Sequence, residues 1–243
     1  MWTLYIFLTL LLLPTAVVIA IYAPRIQVSR RLVARTVAAQ STPEHCRRTI
    51  IVAGDSTAFG VGALPAESTA GRIAAAFPDA RVLNVARSGA RIGHVAGQLA
   101  GLEIHEADLI LIHACANDVL EFRSVRKVEE DLRGAVAAAR RLSAHVVLMP
   151  GHNFSVAPFF LRSISRVIMW HAQRMHRMIV RVTAELDVTF VDLFRDPDED
   201  PFVKEPHRYY CADGLHPSGE GYAIWFATLA ASVPLTQFLG GSD

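Results

Sequence analysis

Thr49-Ile50-Ile51-Val52-Ala53-Gly54-Asp55-Ser56 is the stretch on which the fold turns. Its apolar half suits a short strand buried on both faces, and its polar end falls where such a strand hands the chain to a loop. Similar short apolar runs recur at 81–86, 109–114, 146–150 and 188–193. Helical patterns separate them, at roughly 68–77, 92–99, 125–142 and 161–186. A last helix is expected after Pro217, with Tyr222, Trp225, Phe226 and Leu229 spaced along one apolar face. Short strands alternating with helices predict βαβ units, a parallel sheet and helices on both of its faces. In such sheets ligands bind at the carboxyl ends of the strands. Ser56 follows the first strand at that edge.

The chain has 243 residues, 52% of them hydrophobic, which suits one buried core and an appendage. A formal net charge of +1 and no basic stripe with interleaved aromatics give no reason to expect nucleic acid as a partner. The appendage is the N-terminus. Trp2 to Ala23 carry no charged side chain, and about 20 apolar residues suffice to cross a bilayer as a helix. The expectation is a single transmembrane anchor over 1–24, a juxtamembrane linker over 25–46, and a catalytic domain over 47–236. A cleaved signal peptide is the alternative, with Val18-Ile19-Ala20 as a cleavage site. Arg25, Arg30, Arg31 and Arg35 follow the apolar run, so the positive-inside rule favours a cytoplasmic domain over a periplasmic or extracellular one. Cys46, Cys115 and Cys211 show no zinc-like spacing and read as buried small residues, with one disulfide open to an exported domain.

The polar residues after the strands carry the chemistry. Ser56 alone reads as readily as a turn or helix-capping serine. Gly60-Val61-Gly62 is not a dinucleotide fingerprint, because Pro65 stands where a glycine is needed, and neither a Walker nor an HExxH motif is present. Asp213 and His216 lie on the loop entering the last helix, at a spacing that lets the carboxylate reach imidazole Nδ1 and fix its tautomer. Of the ten histidines, His113, His152 and His207 are competitors, but only His216 combines such an acid with a following helix start. Gly89, after the second strand, can offer its backbone N–H without a side chain in the way. Asn117, after the third, can donate to a developing oxyanion. Serine, histidine and carboxylate are the three groups that turn a hydroxyl into a nucleophile.

In their order, Gly54-Asp55-Ser56, Gly89, Asn117-Asp118 and Asp213 through His216 resemble the four blocks of the SGNH hydrolases, also called GDSL-type esterases and lipases. The resemblance covers about 49–232. It implies a three-layer α/β/α sandwich with a five-stranded parallel, flavodoxin-like sheet. It also implies Ser56 as nucleophile, His216 as general base and then acid, and Asp213 as its orienting partner. The oxyanion hole would be formed by Ser56 N–H, Gly89 N–H and the Asn117 side chain. Neither a metal nor an organic cofactor is implied. Two positions depart from the family pattern: Cys115 replaces the glycine of the third block, and Thr57 the usual leucine of the first. Asp55 reads as a loop-structuring residue.

The implied reaction is hydrolysis of a carboxylic ester, of a lipid, acylated or acetylated substrate, through an acyl-serine. An acyltransferase with the same triad, or a membrane-anchored binding protein on this scaffold, are the alternatives. The segment 154–179 reads first as a long amphipathic helix packed on the sheet. Phe159, Phe160 and Leu161 at its start are the candidates for an acyl pocket or a membrane contact.

Overall fold

The computed structural model describes residues 2–239, leaving aside the side chains of 3–15. The chain begins with a helix, α1 (Trp2–Arg35), which leads to the first strand, β1 (Arg48–Gly54). There follow α2 (Ser56–Phe59), α3 (Thr69–Ala76), β2 (Ala80–Asn84), α4 (Val95–Ala100), β3 (Leu109–His113), α5 (Ala116–Leu120) and α6 (Val125–Arg140). The second half holds β4 (Val146–Leu148), α7 (Arg162–Leu186), β5 (Thr189–Phe190), α8 (Pro201–Lys204), α9 (Pro206–Tyr209), α10 (Gly219–Ser232) and α11 (Leu235–Phe238). The strands form one five-stranded sheet in the order β2-β1-β3-β4-β5, and every pairing is parallel. The expected α/β architecture is therefore the observed one.

Strand residues alternate between two cores, which is why the central positions of β1, β3 and β4 are apolar on both faces. Ile50, Val52, Val82, Leu109, Leu111 and Val147 face one cluster, shared with Tyr222, Trp225 and Leu229 of α10. Ile51, Ala53, Ile110, Ile112 and Leu148 face the other, shared with Leu132 and Val136 of α6 and Met175, Ile179 and Val182 of α7. At about 25 cal/mol per Å² of apolar surface, burying both faces of the central strands is the main stabilising term. The strands end earlier than expected for local reasons. Asn84 Oδ1 accepts from Ala86 N–H at 3.2 Å and turns the chain after β2, and Asp192 does the same for Phe194 after β5 at 2.9 Å.

The N-terminal region differs most from the expectation. Residues 25–35, expected within a linker, continue α1, and Tyr22 packs against the first core. After α1, Ser41 pairs antiparallel with Val82 and covers the free edge of β2. Among the described residues no helix is long and apolar enough to cross a membrane. Most of the expected span falls on the side chains of 3–15, outside the described residues, so the anchor receives no support from them. Cys46, Cys115 and Cys211 are all free thiols.

His113 and His152 are buried against Trp225, and neither ring nitrogen of His113 has a hydrogen-bond partner among the described residues. Burial pushes both imidazoles down from 6.5 to about 3. A folded chain then takes up these protons only near pH 3, whereas the unfolded chain does so near 6.5. Between those values the unfolded state binds more protons, so stability must fall as pH falls, by up to about 1.4 kcal/mol per pH unit for each group. Urea unfolding from pH 7 to 4 should show a falling midpoint, with a shallower slope in His113→Leu. An equal slope in the variant would contradict the assignment.

Candidate active site

Because β1 lies between β2 and β3, the loops following these three strands meet at one edge of the sheet. Gly54 closes β1 at φ +147°, and a Cβ there would stand 1.9 Å from the His113 carbonyl oxygen of β3, so only glycine allows this approach. Gln98 of α4 brackets the same residue: its Oε1 accepts from Gly54 N–H and its Nε2 donates to Gly54 O, both at 2.8 Å. Asp55 then caps α2. Its Oδ1 accepts from Thr57 N–H at 2.9 Å and Thr57 Oγ1 at 2.7 Å, while Oδ2 accepts from Ala116 N–H at 3.2 Å. Burial raises the Asp55 carboxyl above its usual range, and the Thr57 bonds only partly offset it. Asp55 is thus a clamp between the loops after β1 and β3, in line with its reading as a structural residue.

Ser56 opens α2 and is buried. Its Oγ lies 2.9 Å from His216 Nε2, and His216 Nδ1 lies 2.7 Å from Asp213 Oδ2. With Nδ1–H directed at the carboxylate, Nε2 is the acceptor for the serine proton. The loop carrying His216 and Asp213 is closed on itself. Cys211 N–H donates to His216 O at 2.8 Å, and Ser218 N–H to Tyr209 O at 2.8 Å. Asp213 Oδ1 accepts from the N–H groups of Leu215 and His216, each at 2.9 Å, and from the Cys211 thiol at 3.2 Å. Burial pushes the Cys211 thiol up to about 12, with Asp213 adding to the shift, so it stays a donor. Burial alone would raise the Asp213 carboxyl. The hydrogen bond and charge of His216, its backbone N–H and the Ser29 hydroxyl outweigh that and hold it well below the carboxylate range.

Gly89 is exposed at φ +79°, and a Cβ there would meet nothing within 4 Å, leaving its backbone open to a ligand. Asn117 sits on α5, half-buried, and gives one amide hydrogen to Ala90 O at 2.8 Å. Asp118 beside it is buried and accepts from Ile92 N–H at 2.9 Å and from Arg123 at 2.8 Å. Asn117 and Asp118 therefore tie the Gly89 loop to α5. Cys115, at the glycine position of this block, has φ +92°. The backbone keeps the left-handed turn despite a side chain that disfavours it. The ring at Ser56 Oγ is that of His216, whereas the rings of His113 and His152 are buried against Trp225 and His207 is exposed on α9.

Of the candidate substrate contacts, Phe159 is buried, stacked edge-on to Phe160 at 5.0 Å, and its N–H donates to Gly214 O at 3.0 Å. Phe160 is half-buried and lines an open groove of about 760 Å³ with Val156, Pro158 and Met169. Leu161 precedes α7 and gives its N–H to Tyr22 OH at 3.1 Å. Two contributors were not foreseen. Gln98 acts through backbone bonds that leave no pattern in sequence. Ser29 donates its Oγ–H to Asp213 Oδ2 at 2.7 Å, and nothing in the local sequence pairs it with an acid so far along the chain. Among the described residues no cluster of His, Cys, Asp and Glu suits a metal ion.

A parallel sheet with a hydrogen-bonded serine, histidine and aspartate at its carboxyl edge has the layout of a serine hydrolase. The model of the GDSL-like lipase/acylhydrolase family matches residues 52–224, and the chain belongs to that family. It is a carboxylic ester hydrolase of the SGNH type. No curated protein matches the sequence. Among solved structures it is similar to a lipolytic G-D-S-L family protein from Veillonella parvula, with 16% identity and a TM-score of 0.61 over 75% of this chain and 96% of that one. It is similar to an extracellular lipase from Streptomyces rimosus, with 18% identity and a TM-score of 0.56 over 76% and 100%. A catalytic mutant of an acetylxylan esterase from Geobacillus stearothermophilus gives 17% identity and a TM-score of 0.55 over 79% and 97%. These likenesses concern the fold.

The Cys115 geometry can be tested directly. Cys115→Gly relieves the left-handed backbone but removes a buried side chain, so its stability should stay within about 1 kcal/mol of the parent. Cys115→Val adds β-branching at the same φ and should cost more than about 2 kcal/mol. Thermal unfolding followed by circular dichroism reads both. A valine variant as stable as the parent would refute the claim of strain.

Proposed function

We propose that the chain hydrolyses a lipid or other acylated ester through an acyl-serine on Ser56. The observation that carries this reading is the unbroken run from Ser56 Oγ through the His216 ring to Asp213 Oδ2, at 2.9 and 2.7 Å. His216 Nε2 takes the hydroxyl proton as Ser56 Oγ attacks the ester carbonyl. Asp213, held as a carboxylate, stabilises the imidazolium that results. The oxyanion accepts from Ser56 N–H, Gly89 N–H and the remaining amide hydrogen of Asn117, with about 3 kcal/mol lost when one such donor is removed. His216 returns the proton to the departing alcohol. It then activates water, which attacks the acyl carbon, releases the acid and restores Ser56.

The apolar groove beside Phe160 supports an acyl chain as the group transferred. Its wall is joined to the catalytic loop by the bond from Phe159 N–H to Gly214 O. The charge-free run from Trp2 to Ala23 supports a single-pass membrane protein with an ester substrate delivered at the bilayer. Exposed Arg30, Arg31 and Arg35 favour a cytoplasmic catalytic domain.

Hydrolysis of p-nitrophenyl esters from acetate to octanoate by the full chain in detergent micelles tests this reading. Ser56→Ala should lower kcat by about 10⁴-fold or more, and Asp213→Asn by about 10³–10⁴-fold. Asn117→Ala should lower kcat by about 10²–10³-fold with KM little changed. The parent's kcat/KM should rise with chain length. A maximum at acetate would reassign the substrate to a small ester, and an active Ser56→Ala would refute the mechanism.

A further inference from the structure

The C-terminal half of α1 lies against the catalytic loop, on the face formed by Tyr22, Arg25 and Ser29. Their spacing of three and four residues puts them on one side of the helix. Ser29 Oγ donates to Asp213 Oδ2 at 2.7 Å, the same oxygen that receives His216 Nδ1. Arg25 Nη1 donates to the Phe159 carbonyl and lies 3.4 Å from that of Pro158. Tyr22 accepts from Leu161 N–H at 3.1 Å, and its ring packs on Phe159 with centroids 5.6 Å apart. Phe159 in turn bonds Gly214, next to Asp213. The helix thus reaches the catalytic carboxylate directly through Ser29 and again through the segment 158–161.

We propose that Ser29 is a positioning residue of the active site, and that through it the helix preceding the catalytic domain is required for full turnover. The proposal rests on the Ser56, His216 and Asp213 reading above. Asp213 Oδ1 is saturated by the Leu215 and His216 amides and the Cys211 thiol, so its orientation about the Cβ–Cγ bond is fixed on that side. On Oδ2 the protein donors are His216 Nδ1 and Ser29 Oγ. A charge-assisted hydroxyl bond there holds the Oδ2 side of the carboxylate and keeps the ring aimed at Ser56 while its charge changes during the reaction. Ser29 touches neither substrate nor reacting atoms; it acts through Asp213. Nothing in the four sequence blocks of the family fold anticipates it, because it comes from the segment before β1.

The test compares Ser29→Ala, Ser29→Thr and Ser56→Ala in the full chain, with kcat and KM measured separately on p-nitrophenyl butyrate. Ser29→Ala should lower kcat about tenfold with KM within about twofold of the parent, as for an interaction that matters only once charge develops. Ser29→Thr retains the hydroxyl and should recover most of that loss. An unchanged kcat in Ser29→Ala would overturn the proposal, as would a rise in KM alone. An equal loss in the alanine and threonine variants would also overturn it, since helix packing rather than the hydroxyl would then be the cause. An active Ser56→Ala would instead bring down the reading on which the proposal rests.

Discussion

The buried carboxylate of Asp213 is the group around which the active edge is organised. Five donors converge on it: two backbone amides, a thiol, an imidazole and the hydroxyl of Ser29. Burying an ion costs several kcal/mol unless such bonds compensate it, and here the bonds also keep it ionised. Each donor comes from a part of the chain that must be in place for the others to fit. The loop 211–216 closes on itself, α1 presses from the N-terminal side, and His216 bridges to the end of β1. Loss of this carboxylate would leave the His216 ring without its Nδ1 partner.

A second buried carboxylate, Asp55, does the complementary work for the sheet. It joins the turn after β1 to the helix after β3, and Asp118 joins that helix to the loop after β2. The two acids thus tie three loops that a parallel sheet brings only to the same edge. The parallel register supplies proximity, and the buried hydrogen bonds supply orientation. Their surroundings drive the pKa values of Asp55 and Asp213 apart: burial raises Asp55 above its usual value, whereas the bonds and charge of His216 and the Ser29 hydroxyl outweigh burial at Asp213 and hold it low. That contrast fits a structural clamp and a partner for a charged imidazole.

Much of this was legible in the sequence where the signal is periodic or locally spaced. The apolar run 49–53 and its counterparts read as strands because both faces of the sheet are covered, so apolar residues dominate them. Asp213 and His216 were legible because three residues across a turn suffice to bring their side chains together. Gly89 and Asn117 were weak signals singly and became candidates only through the order of all four blocks. The docked half of α1 was not foreseen, because a long apolar run next to it drew residues 25–46 into a linker. Ser29 then had no reason to be paired with an acid 184 residues away. Cys115 illustrates the opposite case: its departure from glycine was visible, but its positive φ is a tertiary outcome. Phe159 carried no mark that would tell a core aromatic from a substrate contact, and it is a core residue bonded to the catalytic loop.

The account stands on a covalent intermediate at one hydroxyl. The most direct measurement is rapid acid quenching of the full chain during turnover of p-nitrophenyl butyrate, followed by mass spectrometry of its peptides. One butyryl group on the peptide containing Ser56, appearing with the burst of p-nitrophenol and absent from a Ser56→Ala chain, is the result expected. Turnover with no acyl adduct, or an adduct on Ser29 or Cys211 instead, would contradict it.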